Sequence, residues 1–170
     1  MNKILADMHT HTIASGHAYA TLTEMCKEAA NKGLEIYGIT EHSSGTPGTC
    51  ADIYFQNLRV VPRDLFGLDL RLGAEINIID YNGTLDLDQK YIDRLDFVIA
   101  GIHSVCYKFG SKEENTAAII NAIKNPNVNI ISHPDDGRCP LDYEALVQAA
   151  KEYHVLLEIC LLYTSPSPRD

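Results

Sequence analysis

Apolar runs that end in a histidine or a glutamate recur along this chain at a nearly constant interval, and that recurrence limits the folds open to it. The first is Ile4-Leu5-Ala6-Asp7-Met8-His9-Thr10-His11, and later runs end at His42, Glu75, His103 and His133. From His9 onward the separations are 33, 33, 28 and 30 residues. About 30 residues is the size of one strand with its crossover helix. Repeated units of this kind build a parallel sheet. When such a sheet closes into a barrel, the strand C-termini gather at one face, where barrels do their chemistry. Alternate side chains of a strand point the same way, so Asp7, His9 and His11 are expected to share a face. Imidazoles and a carboxylate collected at one such face suit a metal ion. Any one of these histidines alone reads more naturally as a core or surface side chain with a local partner; the convergence of five run ends does not.

The chain has 170 residues, 45% of them hydrophobic and 22% charged, ordinary values for one globular domain with a sizeable core. No apolar stretch approaches the length of a membrane span. The start lacks the basic and apolar regions and cleavage site of a signal peptide. The five cysteines, Cys26, Cys50, Cys106, Cys139 and Cys160, are scattered, with no C-x-x-C. They read as reduced thiols, so a cytoplasmic location is expected. The net charge of −9 argues against general nucleic-acid binding. It leaves room for an anionic substrate if metal ions put positive charge in the site.

Taken in order, residues 3–7 are expected as the first strand. Thr21 and Thr23 offer caps for an amphipathic helix over 24–32, which Gly33 ends. A second strand, 36–40, leads to Glu41-His42, and the Ser/Gly/Thr/Pro-rich stretch 43–48 reads as a rim or lid. Residues 53–66 suggest a short helix broken near Pro62. Strand three, 70–74, ends at Glu75, and 76–86 reads as a small hairpin around Asn82-Gly83. A helical turn is expected over 87–94, a strand over 97–101, a helix over 115–124 stopped by Asn125-Pro126, and a strand over 128–132. A helix over 141–153 should present Tyr143, Leu146 and Ala150 on one face, before a sixth strand at 155–159. Residues 161–170 have no period and two prolines, and resemble a non-native tail. A break near residue 160, with residues 1–160 forming the domain, is the expectation.

The motifs Asp7-Met8-His9-Thr10-His11-Thr12, Ser15-Gly16-His17-Ala18-Tyr19, Ile39-Thr40-Glu41-His42, Gly73-Ala74-Glu75-Ile76-Asn77, Ala100-Gly101-Ile102-His103 and Ile131-Ser132-His133-Pro134 resemble, in succession, those of the PHP (polymerase and histidinol phosphatase) superfamily. The His17-Ala18-Tyr19 loop and Asn57-Leu58-Arg59-Val60-Val61-Pro62-Arg63 look most like its YcdX-type phosphatase branch. The resemblance, which runs from residue 3 to about 159, implies an α/β fold, a distorted (β/α)7 TIM-like barrel, here incomplete with about six strands. It also implies a site of up to three metals in a full-length chain, usually zinc, with manganese or iron as substitutes. By resemblance, His9 and His11 would bind one metal with Glu75; Glu75 would bridge to a second held by His103 and His133; His17 and His42 would hold a third. An Asp-x-His near the family's last strand completes the first and third sites and is absent from this sequence.

The chemistry so implied is phosphate monoester hydrolysis of a small phosphorylated substrate, with metal-activated water as the nucleophile and no catalytic side-chain nucleophile. Arg59 and Arg63 are candidates to hold the phosphate by forked hydrogen bonds, set against a plain surface role. Asp7 could orient a ligand histidine or simply bond backbone. Glu158, at the end of the sixth strand, is a candidate support beside the ligands, and His154 reads as structural. A phosphodiesterase or nuclease, or a non-catalytic metal-binding accessory module, are the alternatives. No nucleic-acid or membrane partner is expected, and the resemblance allows a homo-oligomer.

Overall fold

The computed structural model describes residues 4–159, so the 161–170 tail and Cys160 lie outside the described residues. The chain divides into two compact units, one of residues up to Glu75 with Leu87–Val98, the other of Ile76–Asp86 with residues from Ile99 onward.

In the first unit, β1 (Ala6–Asp7) pairs in parallel with β2 (Ile36–His42), and β2 with β3 (Asp69–Asn77). The β2–β3 register runs from Ile36 beside Asp69 to His42 beside Glu75. Tyr37, Ile39, Leu70 and Leu72 from these strands are buried, together with Phe55 and Leu58. Helix α1 (Leu22–Asn31) starts where Thr21 accepts the Glu24 N–H and the Glu24 carboxylate accepts the Thr21 N–H. That reciprocal cap selects Thr21 over Thr23 as the start. α1 turns Cys26 and Ala29 inward. The 53–66 segment forms α2 (Ile53–Asn57), a 3-10 turn at Leu58–Val60 and another at Leu65–Gly67, so the expected break falls before Pro62. α3 is a short turn, Gln89–Ile92.

The second unit begins with the expected tight turn. Ile78 bridges Leu85 antiparallel, and Gly83, at φ 77°, closes the turn with its N–H on the Asp80 carbonyl. β4 (Val98–Gly101), β5 (Ile130–Ile131) and β6 (Leu156–Leu157) are parallel, β4 beside β5 and β5 beside β6. Helices α4 (Lys112–Ile123) and α5 (Tyr143–Tyr153) pack on each other, and the Asp142 N–H bonds the Thr116 hydroxyl at 2.9 Å. Ile99, Ile119, Ile123, Ile131 and Leu146 form the core. On α5, Leu146 and Ala150 face inward as expected, whereas Tyr143 is half exposed.

α4 begins three residues before the expected start, because Ser111 and Glu114 form a second reciprocal cap. Ser111→Ala is expected to cost about 1 kcal/mol in a denaturant melt. β1, β5 and β6 are shorter than the apolar runs suggested, and β3 is longer, its burial continuing through Glu75 to Asn77. No helix among the described residues is long and apolar enough to cross a membrane.

Candidate metal centre

The first unit holds five of the seven expected ligand residues, four histidines and the buried carboxylate of Glu75. Glu75 sits one residue beyond the apolar stretch of β3 and is 1% exposed. The parallel register puts His42 beside it. The loop leaving β1 brings back His9 and His11, held by the Thr40 N–H on the Thr10 carbonyl and the Thr10 hydroxyl on the Gly38 carbonyl. The Glu75 Oε2 lies 3.2 Å from His9 Nε2, 3.2 Å from His11 Nε2 and 3.1 Å from His42 Nδ1. His9 and His11 Nε2 are 3.2 Å apart, so His9, His11 and Glu75 offer donor atoms at the corners of a near-equilateral triangle. Zinc bound at about 2.0–2.1 Å in tetrahedral geometry separates its donors by roughly 3.3–3.4 Å, which this triangle fits. His17 adds a second triad with His11 and His42, its ring centroid 4.9 Å from each. Burial and then the neighbouring His11 charge lower the His17 pKa, which favours the neutral, metal-binding imidazole.

The second unit brings His103 and His133 together. Their Nε2 atoms are 3.1 Å apart and their rings meet edge to face at 5.0 Å. His133 has a left-handed backbone, φ 30°, and its N–H is fixed by the Glu158 carboxylate at 2.9 Å. Glu158 thus supports the backbone of an expected ligand residue. Asp136, whose N–H bonds the His133 carbonyl, accepts the Arg138 guanidinium on its Oδ2 at 2.7 Å, which holds its carboxyl below the ordinary pKa.

Several residues around these clusters were not singled out by spacing. The Glu41 side chain, 0% exposed, accepts hydrogen bonds from the Thr12 N–H and hydroxyl, from the Ser15 hydroxyl at 2.5 Å, and from the Tyr54 phenol at 3.5 Å. Burial and the Glu41 charge push the Tyr54 phenol well above its ordinary pKa. Ser15 also receives the His42 N–H at 3.1 Å and lies 2.9 Å from His11 Nδ1. In the second unit, Asn77 bonds Asp86 through its Nδ2 at 2.7 Å and presents Oδ1 to His103 Nδ1 at 2.7 Å. Thr12, Ser15, Glu41 and Asn77 lie in the same short motifs as the histidines, whereas Tyr54 and Asp86 lie in none of them.

Other expectations resolve differently. Asp7 is exposed and accepts the His9 backbone N–H at 3.4 Å. Arg63 is spent on Asp96 at 2.9 Å and on the carbonyls of Leu58 and Val61, which makes it a strap across the 3-10 turns. Arg59 is exposed and lines a cavity of about 400 Å³ with Cys50, Tyr54 and Asn57. The 43–48 rim is tied down, since the Thr49 hydroxyl bonds the His42 carbonyl at 2.8 Å. His154 closes α5 in a left-handed conformation, a structural role. None of the four described cysteines is in a disulfide.

Parallel β/α units that deliver histidines and a glutamate to strand ends define a class of metal-site α/β proteins. A PHP domain model matches residues 7–160, and the chain belongs to the PHP domain family. It is 48% identical over 157 residues to a protein of Acetivibrio thermocellus described as a probable phosphatase, covering 92% of this chain and 65% of that one. A probable phosphatase of Caldicellulosiruptor saccharolyticus is 50% identical over 153 residues, covering 90% and 64%. The chain thus spans just under two thirds of the length of these relatives. The fold is that of a crystal structure of Lactococcus lactis histidinol phosphate phosphatase, complexed with zinc, L-histidinol and phosphate. That match has a TM-score of 0.60 at 20% identity and covers 95% of this chain and 75% of the other.

Proposed function

We propose that this chain carries the metal-binding part of a phosphoric monoester hydrolase, with His9, His11, His17, His42 and Glu75 as ligands in the first unit and His103 and His133 in the second. One observation carries the reading: a single oxygen of the buried Glu75 carboxylate faces three imidazole nitrogens at 3.1–3.2 Å. Imidazole with a single carboxylate suits zinc, with manganese or iron as substitutes. The relatives described as probable phosphatases support the reaction, and the zinc and phosphate named for the Lactococcus lactis structure support its metal and substrate class.

Bound metal supplies a lowered pKa for water and positive charge for the phosphoryl oxygens. The chain's own residues do the rest. Glu75 sets the spacing of the imidazoles from below, and the lowered pKa of His17 keeps its ring available as a neutral donor. The substrate in this reading is a small phosphorylated molecule, because the −9 charge repels polyanions while the positive charge of metal held by the histidines would suit a single phosphate. Thiols outside disulfides fit a cytoplasmic setting.

The test is zinc content by mass spectrometry on the purified chain, followed by hydrolysis of a chromogenic phosphate monoester and the matching diester. The expected result is near-stoichiometric zinc and preference for the monoester. Preference for the diester would turn the reading to a phosphodiesterase. Folded protein without metal, and without turnover in added zinc or manganese, would overturn it.

A further inference from the structure

Two hydrogen-bond relays, the first buried at Glu41 and Ser15 and the second part-buried, end on side chains whose own donors or acceptors fix the direction of every link. In the first unit, the Ser15 hydroxyl donates its one hydrogen to Glu41 Oε2 and accepts the His42 backbone N–H, which can only donate. The remaining contact of Ser15 Oγ, to His11 Nδ1 at 2.9 Å, must therefore carry the histidine's own hydrogen. His11 Nδ1 therefore carries a hydrogen, which makes Nε2, 3.2 Å from Glu75, the nitrogen left to offer to a metal. In the second unit, Asn77 commits its Nδ2 to Asp86 and its backbone N–H to the other Asp86 oxygen at 3.0 Å. Its Oδ1 is left to accept from His103 Nδ1, which makes the His103 Nε2 that meets His133 the nitrogen left to offer to a metal.

We propose that Glu41, through Ser15, and Asp86, through Asn77, are positioning residues that set the tautomer and ring orientation of the metal-ligand histidines His11 and His103. Both carboxylates lie one link away from the imidazole they orient, and neither is itself among the donor groups around Glu75 or His133. The roles follow from the chemistry of the donors. A neutral histidine can offer a metal only the nitrogen that carries no hydrogen, and in solution it exchanges between two tautomers. A relay that ends on a carboxylate removes the wrong one. Burial strengthens it, because few waters can compete for the Glu41 oxygens, which already take contacts from the Thr12 N–H, the Thr12 hydroxyl and Tyr54. The function of these relays rests on the metal reading above, whereas their existence does not.

The deciding measurement is long-range proton–nitrogen NMR on the metal-free chain at about pH 8, above the ordinary histidine pKa, with histidine signals assigned by single substitution. His11 and His103 are expected as Nδ1–H tautomers in the native sequence. Ser15→Ala and Asp86→Ala are expected to restore a tautomer mixture at His11 and His103 respectively, each without changing the other ring. Zinc affinity, read by competition with a chromogenic chelator, should fall about 10–100-fold in each variant. Nε2–H tautomers in the native chain would overturn the proposal, as would unchanged tautomers and zinc affinity in folded variants. Should a variant not fold, the native tautomers still decide. Native tautomers as expected in a chain that binds no zinc would sink the metal reading alone and leave the relays standing.

Discussion

Glu75→Ala is expected to strip zinc from the first unit and to lower monoester hydrolysis by about a thousandfold or more. The size follows from what the side chain does. Its Oε2 is an anionic atom that faces His9, His11 and His42 at once. Removing it leaves the imidazoles without a charge to balance a dication and without the third donor of the His9–His11 triangle. Metal chemistry of this kind contributes several kcal/mol of transition-state stabilisation, and each 1.4 kcal/mol or so is a factor of ten in rate. Glu75→Gln keeps the volume of the buried side chain while removing its charge, so it separates lost ligation from lost packing. Both variants should lose zinc by mass spectrometry, with Glu75→Gln retaining a near-native melt. Full zinc occupancy and unchanged turnover in either would show that the carboxylate is not a ligand.

The second large effect is on the loop that carries Ser15 and His17. Gly16→Ala is expected to cost about 3 kcal/mol and lower the melting temperature by roughly 6–12 °C. Gly16 has φ 77°, and a Cβ built there would lie 2.2 Å from the Gly48 carbonyl oxygen and 2.6 Å from its carbon. Those atoms are backbone, held by the Cys50 N–H on the Ala14 carbonyl at 2.8 Å. The left-handed conformation alone accounts for about 1–2 kcal/mol, and the collision between the two loops for the remainder. Gly48→Ala is the control. Gly48 also has a positive φ, 88°, yet a Cβ there meets nothing within 4 Å, so only the conformational part of the cost should appear. Because Ser15 and His17 flank Gly16, the Gly16 variant should also bind zinc more weakly than Gly48→Ala does.

The elements of the fold were legible because the strand ends and the chemistry-bearing residues coincide. A buried parallel strand is apolar along its length, so the first charged or imidazole residue after the run marks both the strand's end and the site. For the strand ends this held at His42, the last residue of β2, while β4 stops at Gly101, two residues before His103. Boundaries were less legible. At β3 the interior continues past Glu75 to Asn77, because Asn77 finds its partners in Asp86 and His103 and is buried as a satisfied polar group. At Ser111 the capping box was present in the sequence, yet the charged run Lys112-Glu113-Glu114 hid the first turn of α4.

The relays were not legible at all. Glu41 and Ser15 are 26 residues apart, as are Asn77 and His103, and periodicity carries no information on which side chains meet across strands. Arg63, in the sequence, admits both a substrate and a surface reading. Its guanidinium is held by the carbonyls of Leu58 and Val61 and by Asp96, a distant partner that spacing along the chain does not reveal.

The pairing of β2 with β3 has a consequence for how the sheet assembles. His42 and Glu75 are direct neighbours in the parallel ladder, on the same face. A slip of one residue would send one of the two to the opposite face, while Leu70 and Leu72 would lose the core they share with Tyr37 and Ile39. The apolar side chains tolerate approximate burial; the imidazole–carboxylate approach does not. The site therefore works as a checksum on strand alignment, reporting in a single contact whether every rung behind it has been counted correctly.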